Sequence, residues 1–149
     1  MVDFYLWKHG TDAITDVGTK RVLTLDGEGT NGTVNVLGDL NIGGCLTLQN
    51  FATVTQITSI TTSVTINACN GVITTVSATT NGGSTVKFTV NNNVVTASSV
   101  ILLTHIYPGN GFPAMFIDSV SSGSFVIRIR NQGGVALNNV IKINFIVVG

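Results

Sequence analysis

Charge is scarce in this sequence. Lysine, arginine, aspartate and glutamate make up 9% of the 149 residues, and seven basic side chains balance seven acidic ones, so the formal net charge is +0. A typical soluble domain is about 25% charged. Nucleic-acid binding needs a concentrated basic stripe, so this composition predicts no nucleic-acid partner. It also predicts a surface covered by threonine, serine and asparagine, or one buried partly against other chains.

Long apolar runs are also missing. The longest are Val100–Leu103 and Phe145–Val148, far short of the roughly 20 residues that a membrane-spanning helix needs. Near the N-terminus, Asp3, Lys8 and His9 interrupt any apolar core that a signal peptide would require. The sequence therefore predicts neither membrane insertion nor a secretion signal.

Groups suited to catalysis are few. Beyond Asp39 the only carboxylate side chain is Asp118, so the paired carboxylates of general acid-base chemistry are absent from the rest of the chain. A Ser-His-Asp arrangement would have to use His105 and Asp118, without a nucleophile-elbow glycine pattern. We therefore expect no enzyme, no catalytic residues and no cofactor.

Cysteine is nearly absent. Cys45 and Cys69 are too few for a disulfide framework and lack the spacing of a metal site. Free cysteine is among the most buried residue types, so we expect two buried, small apolar side chains and no metal site. A disulfide between them is the alternative.

The charges that do occur are concentrated in the first forty residues, and such a shift in composition indicates a boundary between segments. We predict three: an N-terminal arm at residues 1–30, a stalk at 31–51 and a head at 52–149. The arm opens on an aromatic cluster that is interpreted either as an attachment site on another protein or as a tail folded onto its own head. The cluster comprises Phe4, Tyr5, Leu6 and Trp7.

The stalk carries a six-residue repeat. Apolar residues recur in pairs, and Gly38 and Gly44 stand between the pairs, where a bend is expected. Such units bury their apolar pairs only by stacking. A single short rung cannot stand alone, so we predict that three chains close a column together as a homotrimer; an ordinary meander is the alternative. The trimerisation residues are Val34, Val36, Leu40, Ile42, Leu46 and Leu48.

The head is rich in β-branched residues and shows no helical periodicity. Short apolar runs alternate with turn signals at about ten-residue spacing, which predicts an antiparallel β-sandwich of jelly-roll type. Turns are predicted at, among other places, Cys69–Gly71 and Ser121–Gly123. The predicted strands are Val54–Ile60, Ser63–Asn67, Val72–Thr79, Thr85–Val90, Val100–Ile106, Met115–Val120, Ser124–Arg130 and Val140–Val148.

Two strands of the head have informative faces. Along Ser124–Arg130, the apolar residues Phe125, Ile127 and Ile129 point one way and the arginines the other. The last strand begins with clean alternation but ends apolar on both faces. Because the outer face of a single sandwich should meet water, this excess indicates a subunit contact.

A hairpin closed by Ser121–Gly123 would place Asp118 diagonal to Arg128 on the partner strand, so we predict a structural ion pair. In a trimer the two residues could instead pair across subunits.

The segment Tyr107–Pro113 holds both prolines and two aromatic residues. Rigid loops that display aromatic side chains suit recognition, which makes Tyr107, Asn110 and Phe112 candidate recognition residues. The alternative is a hairpin loop whose aromatics tuck into the head.

Two stretches resemble known structural proteins of viruses. GTVNVLGDLNIGGCLTLQN resembles the shaft-to-head passages of phage and virus fibre proteins, and GSFVIRIRNQGGVALNNVIKINFIVV resembles the C-terminal part of virion head domains. The resemblance implies a trimer with an attachment arm docked on capsid or tail proteins, a short stalk and a β-sandwich knob. It further implies synthesis in the host cytoplasm and a place on the virion surface.

The chain departs from long fibres in its length, since it carries only about three shaft repeats. The leading hypothesis is a non-enzymatic, homotrimeric virion surface protein: a short fibre knob that attaches to a host-surface glycan or protein, or a capsid decoration. The alternatives are a capsid cement protein without a receptor role, and a soluble carbohydrate-binding β-sandwich module.

Overall fold

A computed structural model describes Leu48 and residues 51–149, and these described residues contain eight strands and no helix. The all-β prediction for the head is therefore confirmed. The predicted arm, and the hexad residues up to 47, lie outside the described residues. The strands are β1 (Phe51–Thr55), β2 (Val64–Thr65), β3 (Asn70–Thr74), β4 (Thr85–Asn91), β5 (Val100–Ile106), β6 (Pro113–Ser121), β7 (Ser124–Asn131) and β8 (Lys142–Val148).

The strands form two four-stranded sheets. Sheet A has the order β1-β3-β8-β5, and sheet B has the order β2-β4-β7-β6. Four of the strand pairs are antiparallel, but β1 pairs with β3 and β2 pairs with β4 in parallel. The expectation of a purely antiparallel, jelly-roll sandwich is therefore wrong, and the sheets are mixed.

The two sheets share one hydrophobic core. Phe125, Ile127 and Ile129 of β7 are 0–1% exposed, as their alternation predicts. They pack in one cluster with Ile143 and Phe145 of β8, which belong to the other sheet. Burying each such side chain is worth about 1.5–3 kcal/mol. Core packing thus supports the two sheets as the layers of a sandwich.

Two of the first three strands, β1 and β3, begin before their predicted positions, whereas β2 lies within its predicted range but is shorter. Cys69–Gly71 was predicted as a turn, but Asn70 and Gly71 begin β3 and pair with Phe51 and Ala52 of β1. Asn-Gly is a strong turn signal, yet here glycine serves close approach: a Cβ at Gly71 would collide with the Ala52 carbonyl oxygen. The turn prediction was wrong because Gly71 is needed where the backbones of the parallel strands β1 and β3 approach each other closely.

Cys69 also departs from the prediction. Its thiol is free and exposed, whereas burial was expected. The segment before β3 alternates, with Ala68 and Asn70 buried and Cys69 pointing outward between them. Its backbone is held, because its carbonyl accepts a 2.7 Å hydrogen bond from the Val147 amide.

Candidate functional site

The outer face of sheet A carries exposed apolar side chains at one of its ends. Phe51 is 61% exposed, Leu102 is 53% exposed and Val148 is 51% exposed. Scattered exposed hydrophobics are ordinary on a protein surface, but contiguous ones indicate an interaction surface. We call the following group the apolar patch: Leu48, Phe51, Val100, Leu102, Ile146 and Val148.

Strand register explains why these residues meet. Leu102 of β5 lies opposite Ile146 of β8, Ile146 lies opposite Asn70 of β3, and Asn70 lies opposite Phe51 of β1. The four residues form one row across the whole sheet. Val100 and Val148 form the next row outward. Because each strand points every second side chain outward, the outward residues of neighbouring strands together form one continuous surface.

The other end of the same face is different. The next row contains Thr104, Asn144, Val72 and Thr53, which are mostly polar. Ile106 is exposed at that end too, but its partner across the strands is Lys142. The contiguous group of exposed apolar side chains therefore lies at the end of sheet A where β1 begins. Leu48 reaches a shallow cavity there, about 250 Å³ in volume, that Phe51 and Ile146 also line.

This geometry bears on two predictions. Leu48 is the last of the predicted trimerisation residues and lies on the apolar patch, 38% exposed. The other five hexad residues, Val34 to Leu46, lie outside the described residues, as do Phe4, Tyr5, Leu6 and Trp7. In β8, Ile146 and Val148 are the residues that made the last strand apolar on both faces, and both are exposed.

The outer face of sheet B carries charge. Lys87 of β4 lies directly opposite Arg128 of β7, and like charges so placed repel each other. Asp118 lies between them: its Oδ2 accepts a 2.7 Å hydrogen bond from Lys87 Nζ, and its Oδ1 lies 3.1 Å from Arg128 Nε. The structure therefore places Asp118 with Arg128 within one chain and adds Lys87, which the sequence analysis missed.

A backbone irregularity aims Asp118 at this pair. The register of β6 against β7 shifts between Ile117 and Ser119, so Asp118 is the extra residue of a bulge. The hydrogen bond from Lys87, reinforced by the positive charges of Lys87 and Arg128, lowers the pKa of the Asp118 carboxyl below its ordinary value and outweighs partial desolvation, which raises it.

Arg130 stands one row away from this ion-pair group. Its register partners are Thr85 on β4 and Ala114 on β6. In the neighbouring row, the Arg128 guanidinium carbon lies 5.5 Å from the centroid of the Phe116 ring, in cation-π geometry. Thr85, Phe116, Arg128 and Arg130 together line a depression of about 230 Å³, which we call the basic depression.

The loop from Tyr107 to Pro113 is tied to the head by hydrogen bonds. The Tyr107 hydroxyl donates to the Asn110 carbonyl (2.6 Å) and accepts from the Asn138 amide (2.8 Å). The Asn110 amide donates to Asn138 Oδ1. Tyr107 is half-buried, and its hydroxyl is already used in hydrogen bonds that hold the loop, whereas Phe112 is 62% exposed. Of the predicted recognition residues, Phe112 is the one that presents an aromatic surface to solvent.

A buried asparagine, Asn131, links the loop from Tyr107 to Pro113 to neighbouring segments, and the sequence analysis missed it. Asn131 is fully buried; its side-chain NH2 donates to the Thr80 and Val135 carbonyls, and its Oδ1 accepts from the Phe112 and Gly133 amides. A local signal was present, since Asn131 is followed by Gln132, Gly133 and Gly134, a sequence typical of a turn. The composition suggested that asparagine side chains lie on the surface. An asparagine whose amide group has all its hydrogen-bond partners within the protein can, however, be buried.

Groups that could act as acids, bases or metal ligands are dispersed across the described part of the chain. Among the described residues, no three His, Cys, Asp or Glu side chains lie close enough to hold a metal ion. His105 lies within β5, where it pairs with Ile143. The described residues also contain no helix that is long and apolar enough to cross a membrane.

These observations define the described region as an all-β sandwich with one partly apolar outer face and one basic outer face. Comparison of the chain with protein-family models, with curated proteins and with solved structures finds no match.

Proposed function

We propose that this chain is a homotrimeric structural protein of a virion surface, assembled through the apolar patch and the hexad stretch. The observation that carries the proposal is the position of the apolar patch. It lies at the end of sheet A where β1 begins, and Leu48 of the hexad stretch is part of it. The predicted assembly segment and the exposed apolar surface are therefore continuous in the chain.

The free energy of burying apolar side chains favours an assembly in which another subunit covers the apolar patch. Burying a large apolar side chain completely is worth about 1.5–3 kcal/mol, so covering a half-exposed one contributes about 1 kcal/mol. Phe51, Leu102 and Val148 are each at least half exposed, and in a symmetric oligomer every subunit contributes its own copy. Covering the patch therefore stabilises the assembly by several kcal/mol.

The length of the hexad stretch supports threefold symmetry. About three six-residue units from one chain form one rung, and a rung needs neighbours to bury its apolar pairs. Three chains that supply one rung each close a column without a free strand edge. In such an assembly the apolar patch of each head is covered by a neighbouring subunit.

Within the virion, the proposed role is a short fibre knob or capsid decoration anchored by the arm at residues 1–30. There are two alternative roles, of which only the first uses the same assembly. A cement protein would strengthen the capsid without contacting the host. A soluble carbohydrate-binding module would act as a monomer and would leave the apolar patch unused.

Electron microscopy of particles with antibodies raised against the purified chain tests the proposal. We expect antibody to decorate the surface of intact particles. Absence of labelling on particles whose denatured proteins include the chain would contradict a surface position.

Two measurements then distinguish the roles. A host-attachment knob, added as purified protein, should compete with particles for adsorption to cells. A cement protein should leave adsorption unchanged, but particles that lack it should lose infectivity at lower temperature.

A further inference from the structure

Positive charge in the head is gathered on one face. Between residues 52 and 149 there are four lysines and arginines: Lys87, Arg128, Arg130 and Lys142. Three of them project from the outer face of sheet B, whereas Lys142 lies on sheet A. Asp118 is the one carboxylate side chain in the same range. Three cations and one carboxylate leave this face with two uncompensated positive charges.

The uncompensated charge is centred on Arg130. Both oxygens of Asp118 are already engaged, one with Lys87 and the other with Arg128. Arg130 is exposed, and within the described residues no acidic group pairs with it. Its cross-strand neighbours, Thr85 and Ala114, are small. Short side chains on both flanks leave open space above Arg130, which is the basic depression.

The walls of the basic depression are already positioned. Arg128 forms an ion pair with Asp118, with 3.1 Å between Nε and Oδ1, and its guanidinium group lies over the Phe116 ring, so this group is positioned before any ligand arrives. A guanidinium group matches a carboxylate or sulfate with two parallel hydrogen bonds. Phe116 is 43% exposed and offers an apolar surface beside the charge, and the Thr85 hydroxyl can donate or accept a hydrogen bond.

We infer that the basic depression binds a saccharide that carries a carboxylate or a sulfate ester. Arg130 contacts the anionic group, Arg128 provides a second cationic contact, and Phe116 packs against the C–H face of the sugar ring. A volume of about 230 Å³ suits one sugar residue rather than a long polymer. One chain supplies every lining residue, so this inference does not depend on the proposed assembly.

Saturation-transfer NMR on the full-length chain tests the inference at constant ionic strength. The probes are glucuronic acid and glucosamine 6-sulfate, with glucose as the neutral comparison. We expect saturable binding of the two acidic sugars in the millimolar range and binding of glucose at least tenfold weaker. Equal binding of glucose and glucuronic acid would overturn the inference.

Matched variants locate the site. Arg130→Gln keeps a polar side chain but removes its charge, and we expect it to weaken binding of glucosamine 6-sulfate at least tenfold. Lys142→Gln removes an equal charge from the other sheet and should leave binding unchanged. An equal loss in both variants would show that net charge alone attracts the sugar, which refutes the site.

Inorganic sulfate separates a sugar site from a simple anion site. If Phe116 contacts the ring, glucosamine 6-sulfate should displace sulfate with at least severalfold higher affinity, and Phe116→Ala should remove that advantage. Sulfate that binds as tightly as glucosamine 6-sulfate would refute the saccharide assignment. The solution mass of each sample, measured separately, keeps this result distinct from any failure of the proposed trimer.

Discussion

The rings of Phe125 and Phe145 lie with their centroids 5.8 Å apart and their planes inclined by 50°. Phe125 belongs to sheet B and Phe145 to sheet A, so this single contact joins the two layers of the sandwich at the centre of the core. Tilted aromatic pairs of this kind contribute about 0.5–1.5 kcal/mol beyond the burial of their area.

Phe125→Leu should therefore lower the free energy of unfolding by about 1–2 kcal/mol, through loss of the aromatic contact and of some buried volume. Chemical denaturation measures the change. Phe112→Leu is the matched control, since Phe112 is 62% exposed and its substitution should cost less than about 0.5 kcal/mol. Equal effects at both positions would show that the sheets are not joined through Phe125.

The side chain of the fully buried Asn131 makes four hydrogen bonds to the backbone around it. Asn131→Ala should lower the free energy of unfolding by about 3 kcal/mol. The Val135 carbonyl and the amides of Phe112 and Gly133 lose the partner that Asn131 provides, and the Thr80 carbonyl keeps only the Leu137 amide. Asn91→Ala, at an exposed position of β4, is the control and should be nearly neutral. A small effect of Asn131→Ala in the same denaturation experiment would mean that water replaces the side chain readily.

The hydroxyl of Tyr107 ties two segments that are far apart in sequence. Tyr107→Phe should cost about 1 kcal/mol and speed hydrogen exchange at the Asn138 amide, which donates to that hydroxyl. The Val147 amide, bonded to the Cys69 carbonyl, should keep its protection. Unchanged exchange at Asn138 would contradict the assigned hydrogen bond.

The Asp118 group should give the head a modest acid sensitivity. The pKa of Asp118 is lowered in the folded state, chiefly by the hydrogen bond from Lys87. Its contribution is therefore fully present above the ordinary aspartate pKa of about 3.9, and is lost as pH falls through the lower folded value. Asp118→Asn should melt at a lower temperature than the unmodified chain at pH 7.

The difference in melting temperature should shrink as pH falls through the lowered folded pKa, because the carboxyl then becomes protonated in the folded state as well as in the unfolded state. Every other carboxylate is present in both proteins, so the difference between them isolates Asp118. A difference in melting temperature that persisted unchanged at pH 2 would assign the effect to packing rather than to charge.

Sequence periodicity predicted part of this structure well. The alternation in Ser124–Arg130 placed Phe125, Ile127 and Ile129 in the core, and the strands from β4 to β8 appear within about two residues of their predicted ends. These strands are rich in β-branched residues, and turns rich in glycine, asparagine or serine separate them. In these strands the local sequence pattern agrees with the observed burial, so the pattern was sufficient to predict their positions.

The same reasoning failed where pairing partners are distant in sequence. Nothing local indicates that β1 and β3 run parallel, or that Gly71 is needed for backbone approach rather than for a turn. The apolar patch shows a similar limit. Each strand contributes one or two exposed apolar residues, and only the register across four strands brings Phe51, Ile146 and Leu102 into one row. The sequence indicated that β8 has an excess apolar face. It did not indicate which residues of other strands lie beside that face.

The solution mass of the purified full-length chain, measured by analytical ultracentrifugation at micromolar concentration, tests the central claim most directly. We predict a mass three times that of the 15.6 kDa chain. Leu102→Asp, in the apolar patch, should shift the mass toward the single chain. Ile106→Asp lies on the same face of the same strand at the other end of sheet A and should remain trimeric. A 15.6 kDa monomer for the unmodified chain would contradict the account.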